Sequence, residues 1–445
     1  MATRTDDDVS DRRGRIGCML IAGGVAVVLI GSVTAGCLAV TGRFPGDSMD
    51  IAWKTPADGN ASKQGNGAWL AGDTLVRSRS NAVTGYDAGS GKRAWEYRPP
   101  GRSEICGAEA DVDSSVLLVT RDDDTRPASS KRELCTTVAA IDLKNGREMW
   151  HAPIPAHDDK ATRFGPNPVA AGGGLAVLAD QGLRAVDVRT GEARWTAAVP
   201  KNCVPGKAAP AKRHVAALLA CGDPDKPWRD NTPVGAELHA AAFDPATGAL
   251  LWSTPFGDRE PVSHSVGTSI LSADPLVVSA STSSGSEHGA FHSFDKDGRP
   301  HPPIDFNGAY GTLDAKRPLG SATDGTRLYA LAGYYKKGGT RHRAVAFDLA
   351  TGQQVWKTGL DDSPGVGLNL QDGKVTVIVR TSATSAVANE DLYVLDAATG
   401  KERDVRSFHD GVAPYKIFEY KGLLIGASLS DYVPPPPPFT AYERS

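Results

Sequence analysis

Short runs in which apolar and polar residues alternate recur along the whole chain, and most end at a small polar turn. Ala240–Phe243 and Leu392–Leu395 are examples. Alternation with a period of two over four to eight residues is typical of β-strands. Similar segments precede several of these runs: Ser115–Thr120, Val215–Ala220, Pro275–Ser279 and Lys374–Arg380. The pattern predicts an all-β protein made of many short antiparallel strands.

The turns belong to a repeated phrase with fixed spacing. In five copies a glycine follows an aspartate by four residues and a tryptophan follows it by eight: Asp87–Trp95, Asp142–Trp150, Asp187–Trp195, Asp244–Trp252 and Asp348–Trp356. Two further copies are incomplete, because Asp404 replaces the tryptophan after Asp396 and the turn Asp295–Gly298 is shortened. The copies lie about 50 residues apart, which is the length of a propeller blade.

Each position of the phrase has a physical role. The aspartate side chain accepts backbone N–H bonds within a tight turn, and the glycine adopts the positive φ angle that the turn requires. The tryptophan stands at one place in the following strand and is large enough to fill the space between neighbouring blades. We therefore expect the repeated tryptophans to be core residues rather than ligand contacts.

The two ends of the chain complete the repeat. After the last turn, Tyr415–Tyr420, Leu423–Ser428 and Phe439–Glu443 supply three strands but no fourth. Asp50–Thr55 resembles a fourth strand, with Trp53, but has no turn before it. The sequence therefore predicts an eight-bladed β-propeller of four-stranded antiparallel blades, closed by the N- and C-terminal strands so that no sheet edge is left open. Seven blades with frayed ends are the alternative.

The N-terminal segment has the features of a membrane anchor. Ile16–Val40 contains no charged residue and follows Arg12, Arg13 and Arg15. A transmembrane helix needs about 20 apolar residues, and cationic residues stay on the cytoplasmic side. We predict a cytoplasmic tail (1–15), a transmembrane helix or signal anchor (16–40), a linker (41–49) and an extracytoplasmic propeller (50–445). The alternatives are a cleaved signal peptide with secretion, and a lipoprotein modified at Cys37.

Four cysteines follow the anchor segment, an even number that favours disulfides in an oxidising compartment. Cys106 lies in a connection between blades, and Cys135 ends the loop between the second and third strands of the same blade. Cys203 and Cys221 hold the corresponding places two blades later. These positions predict the bonds Cys106–Cys135 and Cys203–Cys221.

The phrase Asp396–Lys401, with the tryptophan found in the other copies, resembles the pyrroloquinoline-quinone (PQQ) repeat. The resemblance implies a propeller fold, in a superfamily that includes quinoprotein dehydrogenases, outer-membrane-assembly lipoproteins and sensor domains of membrane kinases. Catalytic members commonly have two adjacent cysteines over the quinone and a calcium ion held by acidic and amide side chains. No two cysteines are adjacent here, so we expect a non-catalytic member without bound quinone.

The long connections are predicted to lie on one face. Between second and third strands they are Arg121–Glu133, Gly222–Gly235, Thr282–His288, Tyr335–His342 and Thr381–Asn389. Between blades they are His151–Pro168, Thr254–Gly267, Pro300–Pro318 and Lys357–Leu368. Loops on a rigid scaffold carry recognition. This face is therefore the predicted binding surface, with Trp228 and Arg229 as candidate contact residues.

Other classes of site find little support. The formal net charge of −3 does not favour nucleic-acid binding. His288 and His292 stand four apart on a predicted strand, about 13 Å, which is too far to share one metal ion. We expect no catalytic or metal site. The expected function is a membrane-anchored binding, scaffolding or sensory module for an extracytoplasmic protein or small ligand, and the alternative is a PQQ-dependent oxidoreductase.

Overall fold

The computed structural model describes most of the chain after residue 47. The described residues are 48–57, 65–101, 103–122, 135–154, 169–179, 182–222, 228–229, 232–233, 236–256, 268–281, 289–314, 320–336, 339–360, 365–380, 390–408, 416–428 and 436–444. They belong to one compact unit, Gly46–Ser445. The predicted tail (1–15), anchor (16–40) and most of the linker lie outside these ranges. No described segment is a helix long and apolar enough to span a membrane.

All regular structure in the described residues is β-strand. Strand β1 is Ser48–Lys54. Sheet 1 contains β2 (Gly65–Ala71), β3 (Thr74–Arg79), β4 (Ala82–Asp87) and β5 (Arg93–Tyr97). Sheet 2 contains β6 (Glu104–Asp111), β7 (Val116–Asp122), β8 (Thr137–Asp142) and β9 (Glu148–Pro153). Sheet 3 contains β10 (Val169–Gly172), β11 (Leu175–Ala179), β12 (Leu183–Asp187) and β13 (Ala193–Ala197).

The next two sheets follow the same order. Sheet 4 contains β14 (Cys203–Pro210), β15 (Val215–Cys221), β18 (Glu237–Phe243) and β19 (Leu250–Pro255). The separate short strands β16 (Trp228–Arg229) and β17 (Thr232–Pro233) pair with each other between β15 and β18. Sheet 5 contains β20 (Thr268–Ala273), β21 (Leu276–Ser281), β22 (Gly289–Ser293) and β23 (Ile304–Asp305).

The last three sheets complete the body. Sheet 6 contains β24 (Asn307–Gly308), β25 (Gly311–Leu313), β26 (Ser321–Thr323), β27 (Arg327–Lys336), β28 (Gly339–Asp348) and β29 (Gln354–Leu360), and both β25 and β26 pair with β27. Sheet 7 contains β30 (Gly365–Gln371), β31 (Lys374–Arg380), β32 (Glu390–Asp396) and β33 (Glu402–Phe408). Sheet 8 contains β34 (Lys416–Tyr420), β35 (Leu423–Ala427) and β36 (Phe439–Arg444), and β1 is its fourth strand. Because Ser48 and Met49 of β1 also pair in parallel with Ser407 and Phe408 of β33, sheets 7 and 8 are joined into one eight-stranded sheet.

The predicted pairing of the two chain ends is confirmed. Strand β1 runs antiparallel to β36, with Asp50 opposite Glu443 and Lys54 opposite Thr440. Beyond the strand, the Thr55 backbone N–H and hydroxyl both donate to the Phe439 carbonyl at 3.0 Å. The edge of β36 is therefore covered by a strand from the other end of the chain.

The core lies between the sheets and continues from each sheet to the next. Adjacent residues of a second strand point to opposite faces, so Leu117 packs towards Val83 of sheet 1 while Leu118 packs towards Leu178 of sheet 3. Eight hydrophobic clusters each join two consecutive sheets. In the cluster that spans the two ends of the series, Ile425 of sheet 8 packs with Leu75 of sheet 1. Because both faces are buried, the second strands read as continuous apolar runs.

The aspartate–glycine turns have the predicted chemistry. The Asp187 carboxylate accepts the backbone N–H groups of Arg189 and Thr190, at 3.0 and 2.9 Å, and Gly191 has a φ angle of +75°. The shortened turn has the same kind of hydrogen bond, because the Asp295 carboxylate accepts the backbone N–H of Asp297 at 2.9 Å. In six sheets the fourth strand has a β-bulge at the residue immediately before the tryptophan or the residue that replaces it.

The repeated tryptophans lie between sheets, as predicted. Trp195 of sheet 3 covers Gly248 in the turn of sheet 4, and its Nε1 donates to the Pro245 carbonyl at 2.9 Å. The same contact between ring and turn glycine joins five further pairs: Trp53–Gly91, Trp95–Gly146, Trp150–Gly191, Trp252–Gly298 and Trp356–Gly400. Each tryptophan therefore connects its own sheet to the turn of the next one.

One predicted loop is wrong. Tyr335–His342 is mainly a hairpin, because β27 continues to Lys336 and β28 starts at Gly339, with only 337–338 outside the described residues. Pro300–Pro318 also contains the short strands β23, β24 and β25. The exposed hairpin lacks the one-sided apolar alternation that identifies a half-buried strand. The central parts of most other predicted long loops lie outside the described residues.

Candidate functional site: the long-loop face

The strand order gives the body two different faces. The short-turn face carries the aspartate–glycine turns and the tight hairpins between first and second strands, such as Asp111–Val116. The long-loop face carries the connections between second and third strands and those between sheets. On the long-loop face the described residues are the stems of these connections, the short strands β16, β17, β24 and β25, and the hairpin of β27 and β28.

Neighbouring turns on the short-turn face are tied to one another. The Asp111 carboxylate accepts the backbone N–H of Gly174 in the next sheet at 2.8 Å. Arg213 donates two hydrogen bonds to Asp274 of the following sheet, both at 2.5 Å, and these bonds hold the pKa of Asp274 below its usual value. Lys421 of sheet 8 bonds Asp73 of sheet 1 at 3.0 Å. These groups are occupied within the protein.

Two disulfides fasten stems of the long-loop face, and both are the predicted pairs. Cys203 and Cys221 stand opposite each other in the register of β14 and β15, with Cα atoms 3.9 Å apart. Cys106 in β6 bonds Cys135 just before β8, with Cα atoms 6.2 Å apart. The second bond therefore joins the first strand of sheet 2 to the far end of the connection 123–134.

The candidate contact residues occupy a two-residue strand. Trp228 and Arg229 form β16, with Trp228 opposite Pro233 and Arg229 opposite Thr232 of β17. This backbone ladder stands between the second and third strands of sheet 4, on the long-loop face. The side chains lie outside what the structure describes, so their contact role stays a prediction.

A buried charged cluster lies between sheets 1 and 2. Arg121, the residue before the end of β7, has 3% of its side chain exposed, and its Nη1 lies 2.7 Å from Glu148 Oε2 and 2.6 Å from the Tyr97 hydroxyl. Tyr97 also donates to Glu148 at 2.7 Å. Burial is the largest influence and raises the pKa of Tyr97. Burial alone would also raise the pKa of Glu148, but hydrogen bonds from Tyr97 and Arg121 hold it below its usual value.

Charged residues also lie on the first strands of several sheets. Lys207 of β14 donates to the Thr268 carbonyl of sheet 5, and Lys416 of β34 donates to the Ala68 carbonyl of sheet 1 at 3.4 Å. Burial lowers the pKa of both lysines. Burial raises the pKa of Glu109 on β6, and the charge of Lys416 opposes this effect. These charges link first strands of different sheets, and sequence reasoning missed them because a lone charge in a strand has no spacing signal.

The hairpin of sheet 6 extends beyond its flanking strands. Pairing of β28 with β29 stops at His342, and pairing of β27 with β25 stops at Gly333. We name residues 334–336 and 339–341 the ribbon. Tyr335 is opposite Thr340 and has 82% of its surface exposed. Arg343 lies at the base, 3.4 Å from the centre of the Tyr334 ring.

The histidines and cysteines considered for a metal or quinone site are described only in part. No group of three or more histidine, cysteine, aspartate or glutamate side chains within the described ranges is placed to hold a metal ion. His288 lies outside those ranges, while His292 packs against Phe256 with ring centres 5.1 Å apart. The four cysteines of the body form two bonds between positions far apart in sequence, so they supply no adjacent pair.

Comparisons with known proteins concern nearly the whole body. Residues 46–217 and 236–408 match the family model described as outer membrane protein assembly factor BamB. No curated protein matches the chain. Among solved structures, BamB from Moraxella catarrhalis is 16% identical, with a TM-score of 0.49, covering 89% of this chain and 97% of its own.

Two other solved structures extend the comparison. The computationally designed Ika8 protein is 12% identical with a TM-score of 0.50, covering 88% of this chain and 98% of its own. The quinohemoprotein alcohol dehydrogenase from Comamonas testosteroni is 14% identical with a TM-score of 0.46, covering 89% of this chain and 76% of its own. At this level of identity the likeness to Ika8 concerns the fold alone.

Proposed function

The chain belongs to the PQQ-repeat β-propeller family of the outer membrane protein assembly factor BamB, and on that premise we propose that it is an extracytoplasmic scaffold that binds a partner protein through its long-loop face. The observation that carries this proposal is the difference between the two faces. The short-turn face uses its charged groups to join neighbouring sheets, as in the pair Arg213–Asp274. The long-loop face carries long connections on disulfide-fastened stems. Loops held by a rigid scaffold are suited to recognition.

The scaffold is one closed propeller with eight blades, one for each sheet. Support comes from the eight clusters, each of which joins consecutive sheets, and from the cluster in which Ile425 of sheet 8 meets Leu75 of sheet 1. The pairing of β1 with β36 supports the same arrangement. Closure leaves no sheet edge exposed along the ring, so the loops rest on a rigid frame.

Residues 16–40 anchor the scaffold in the cytoplasmic membrane as a single helix, with residues 1–15 inside and the propeller outside. Lipidation at Cys37 and secretion after cleavage are the alternatives. Strand β1 enters sheet 8 with Met49 opposite Arg444, at the short-turn end of β36. Strand β1 therefore begins at the short-turn face, opposite the proposed binding surface.

Binding, rather than catalysis, is the proposed activity, without quinone or metal. Support comes from the absence of adjacent cysteines in the sequence and from the cysteine pairing described above. The alternative, a PQQ-dependent oxidoreductase, predicts a red-shifted quinone absorbance and alcohol or sugar oxidation with an artificial acceptor after quinone and calcium are added. Either result would replace the proposal.

Affinity capture of the full-length, membrane-embedded protein tests the binding face. The test variant has residues 223–235 shortened, and the control carries Lys144→Glu and Lys401→Glu in turns of the short-turn face, where both lysines are exposed. We expect the first variant to lose crosslinked partners that the wild type and the control retain. Loss in the control alone would place binding on the opposite face.

A further inference from the structure

Large apolar side chains are exposed on the rim of the short-turn face. Leu250 and Leu251 begin the fourth strand of sheet 4, directly after its turn. Val355 has the same place in sheet 6 as Leu251 has in sheet 4, because each stands one residue before the tryptophan. Leu251 and Val355 are the extra residues of the β-bulges, which have no partner in the ladder, and they are 53% and 42% exposed. The repeated bulge therefore presents an apolar side chain to solvent in both sheets.

Two further residues continue this set around the body. Ile51 of sheet 8 stands two residues before the tryptophan, as Leu250 does in sheet 4, and it is 38% exposed. Val112 lies in the tight hairpin between the first and second strands of sheet 2 and is 42% exposed. The five residues belong to sheets 2, 4, 6 and 8, which are every second blade of the closed ring proposed above.

This distribution fits a flat surface. A single exposed apolar residue is ordinary on a soluble protein, but here such residues stand at four places around one face. A groove or a bound peptide would reach only one or two neighbouring blades. The interfacial region of a bilayer extends in a plane and accepts apolar side chains at the level of its headgroups. A membrane surface can therefore meet all four places at once.

The proposed anchor keeps this face close to a membrane. Strand β1 begins with Ser48 at the short-turn face. Seven residues, 41–47, stand in the sequence between the proposed anchor and this strand. An extended chain reaches at most about 3.6 Å per residue, so the start of β1 stays within about 25 Å of the end of the anchor. The bilayer is therefore within reach of the short-turn face.

Lysines accompany the apolar residues. Lys92, Lys144 and Lys401 are exposed in turns of the short-turn face. The aspartates of such turns use their carboxylates within the turn, as Asp396 does when it accepts the backbone N–H of Thr399 at 2.9 Å. Lysine side chains at a membrane surface are attracted by the negative charge of lipid headgroups. The face thus combines the two kinds of group that bind a protein to a bilayer surface.

We propose that the short-turn face rests on the surface of the phospholipid bilayer that holds the anchor. The exposed apolar residues lie between the headgroups, and the long-loop face is turned away from the membrane towards its partner. The inference rests on the proposed function, because it needs the anchor, and it adds the orientation in which the scaffold is held.

The test uses the full-length protein in nanodiscs of phosphatidylcholine and phosphatidylglycerol whose acyl chains carry bromine, which quenches fluorescence only on close contact. A dansylalanine reporter is placed at position 251. The matched control carries it at position 335, because Tyr335 is exposed on the opposite face. We expect brominated lipid to lower the fluorescence at position 251 by about twofold or more and to change that at position 335 by less than about a tenth.

Substitutions away from the reporter test whether the other apolar residues hold the face on the lipid. Val112→Asp with Val355→Asp should remove about half or more of the quenching at position 251, because a carboxylate is costly to place among acyl chains. The control Tyr335→Asp introduces a carboxylate on the long-loop face and should leave the quenching unchanged. The circular dichroism spectrum of each variant in the same nanodiscs verifies that the body is folded.

Three results would overturn the inference. They are equal quenching at the two reporter positions, no quenching at position 251, and unchanged quenching in the variant with Val112→Asp and Val355→Asp. Quenching at position 335 alone would place the long-loop face on the membrane and would contradict the proposed function as well.

The capture experiment separates this inference from the proposed function. If position 251 is not quenched while capture still depends on residues 223–235, the orientation fails and the scaffold function stands. If position 251 is quenched but the shortened variant captures the same partners as the wild type, the orientation stands and the proposed binding face fails. If alkaline carbonate releases the full-length chain from membranes, the anchor fails and the orientation fails with it.

Discussion

The Trp195 ring lies so close to Gly248 of the following sheet that a Cβ atom on this glycine would stand 2.6 Å from the ring. Gly248 also has a φ angle of +72°, which side-chain-bearing residues rarely adopt. Gly248 therefore has two roles: it allows the turn, and it receives the tryptophan of the preceding sheet.

Gly248→Ala should destabilise the protein through both roles. The φ angle alone costs about 1 kcal/mol, and displacement of the ring adds about 1–3 kcal/mol. The control is Gly373→Ala, because Gly373 has a φ angle of +70° but a Cβ atom on it would meet no described atom within 4 Å. Urea unfolding should show the larger loss for Gly248→Ala. Equal losses would mean that the ring contact contributes nothing.

The hydrogen bonds of the tryptophans differ in a way that mutation can measure. Trp195 Nε1 donates to the Pro245 carbonyl at 2.9 Å, whereas the buried Nε1 of Trp95 has no hydrogen-bond partner among the described residues. Both rings cover a turn glycine, so replacement by phenylalanine removes similar packing. Trp195→Phe should therefore cost about 1 kcal/mol more free energy of unfolding than Trp95→Phe. The opposite order would contradict the hydrogen-bond assignment.

The disulfides should each contribute about 3 kcal/mol to the free energy of unfolding. They link residues 29 and 18 positions apart, and loops of these lengths restrict the unfolded chain to a similar degree. Replacing Cys106 and Cys135 by serine, or Cys203 and Cys221, tests this under oxidising conditions. A reduced wild type provides the control, since it should lose the sum of both effects. No change in either double variant would mean that the bonds do not form.

Stability should fall at acid pH through the aspartates of the turns. The hydrogen bond from Arg194 lowers the pKa of Asp187 to about 2, and that from Arg403 lowers the pKa of Asp396 to about 2. In the unfolded chain an aspartate has a pKa of about 3.9. The stabilisation that a lowered pKa provides is therefore fully present above a pH of about 3.9 and is lost as the pH falls towards about 2.

The direction of this pH effect is checked by urea unfolding at pH values from about 5 down to about 2.5, a range that covers most of the interval in which these aspartates lose their stabilising effect. Asp187→Asn cannot titrate, so the fall in its unfolding midpoint should be smaller than in the wild type. Adding Asp396→Asn should reduce the fall further, because the two turns lie in different sheets. An unchanged fall in both variants would show that other carboxylates are responsible.

The sequence was informative wherever the fold depends on neighbours in the chain. The aspartate–glycine turn, its tryptophan and the strand that ends at Phe243 are local features repeated at fixed spacing, so strands, turns and sheet order could be predicted from them. The disulfide between Cys203 and Cys221 followed from the same register. The closure by β1 followed from a missing fourth strand.

Contacts between distant residues were not predictable in this way. The sequence near Arg121 is an apolar run that ends in a charged residue, and nothing in it indicates that Tyr97 and Glu148 come within hydrogen-bond distance. The ribbon was missed because Tyr335–His342 is rich in lysine, glycine and arginine, which resembles a loop. Its strands are stabilised by cross-strand pairing rather than by a buried apolar face.

The buried cluster of Arg121, Tyr97 and Glu148 gives the last prediction. Arg121→Ala removes the buried guanidinium that bonds both the Glu148 carboxylate and the Tyr97 hydroxyl, while Glu148 keeps its contacts with Tyr97 and with the exposed His151, so the expected cost is about 2 kcal/mol. The matched control is Arg93→Ala, which removes a pair with Glu96 at 3.2 Å whose arginine is 61% exposed, and which should cost less than about 1 kcal/mol. Adding Glu148→Gln to Arg121→Ala should recover part of the loss, because a neutral amide is easier to bury than a carboxylate that has lost its guanidinium partner. Equal losses for the two arginine variants, measured by urea unfolding at pH near 7, would mean that Arg121 acts as a surface charge.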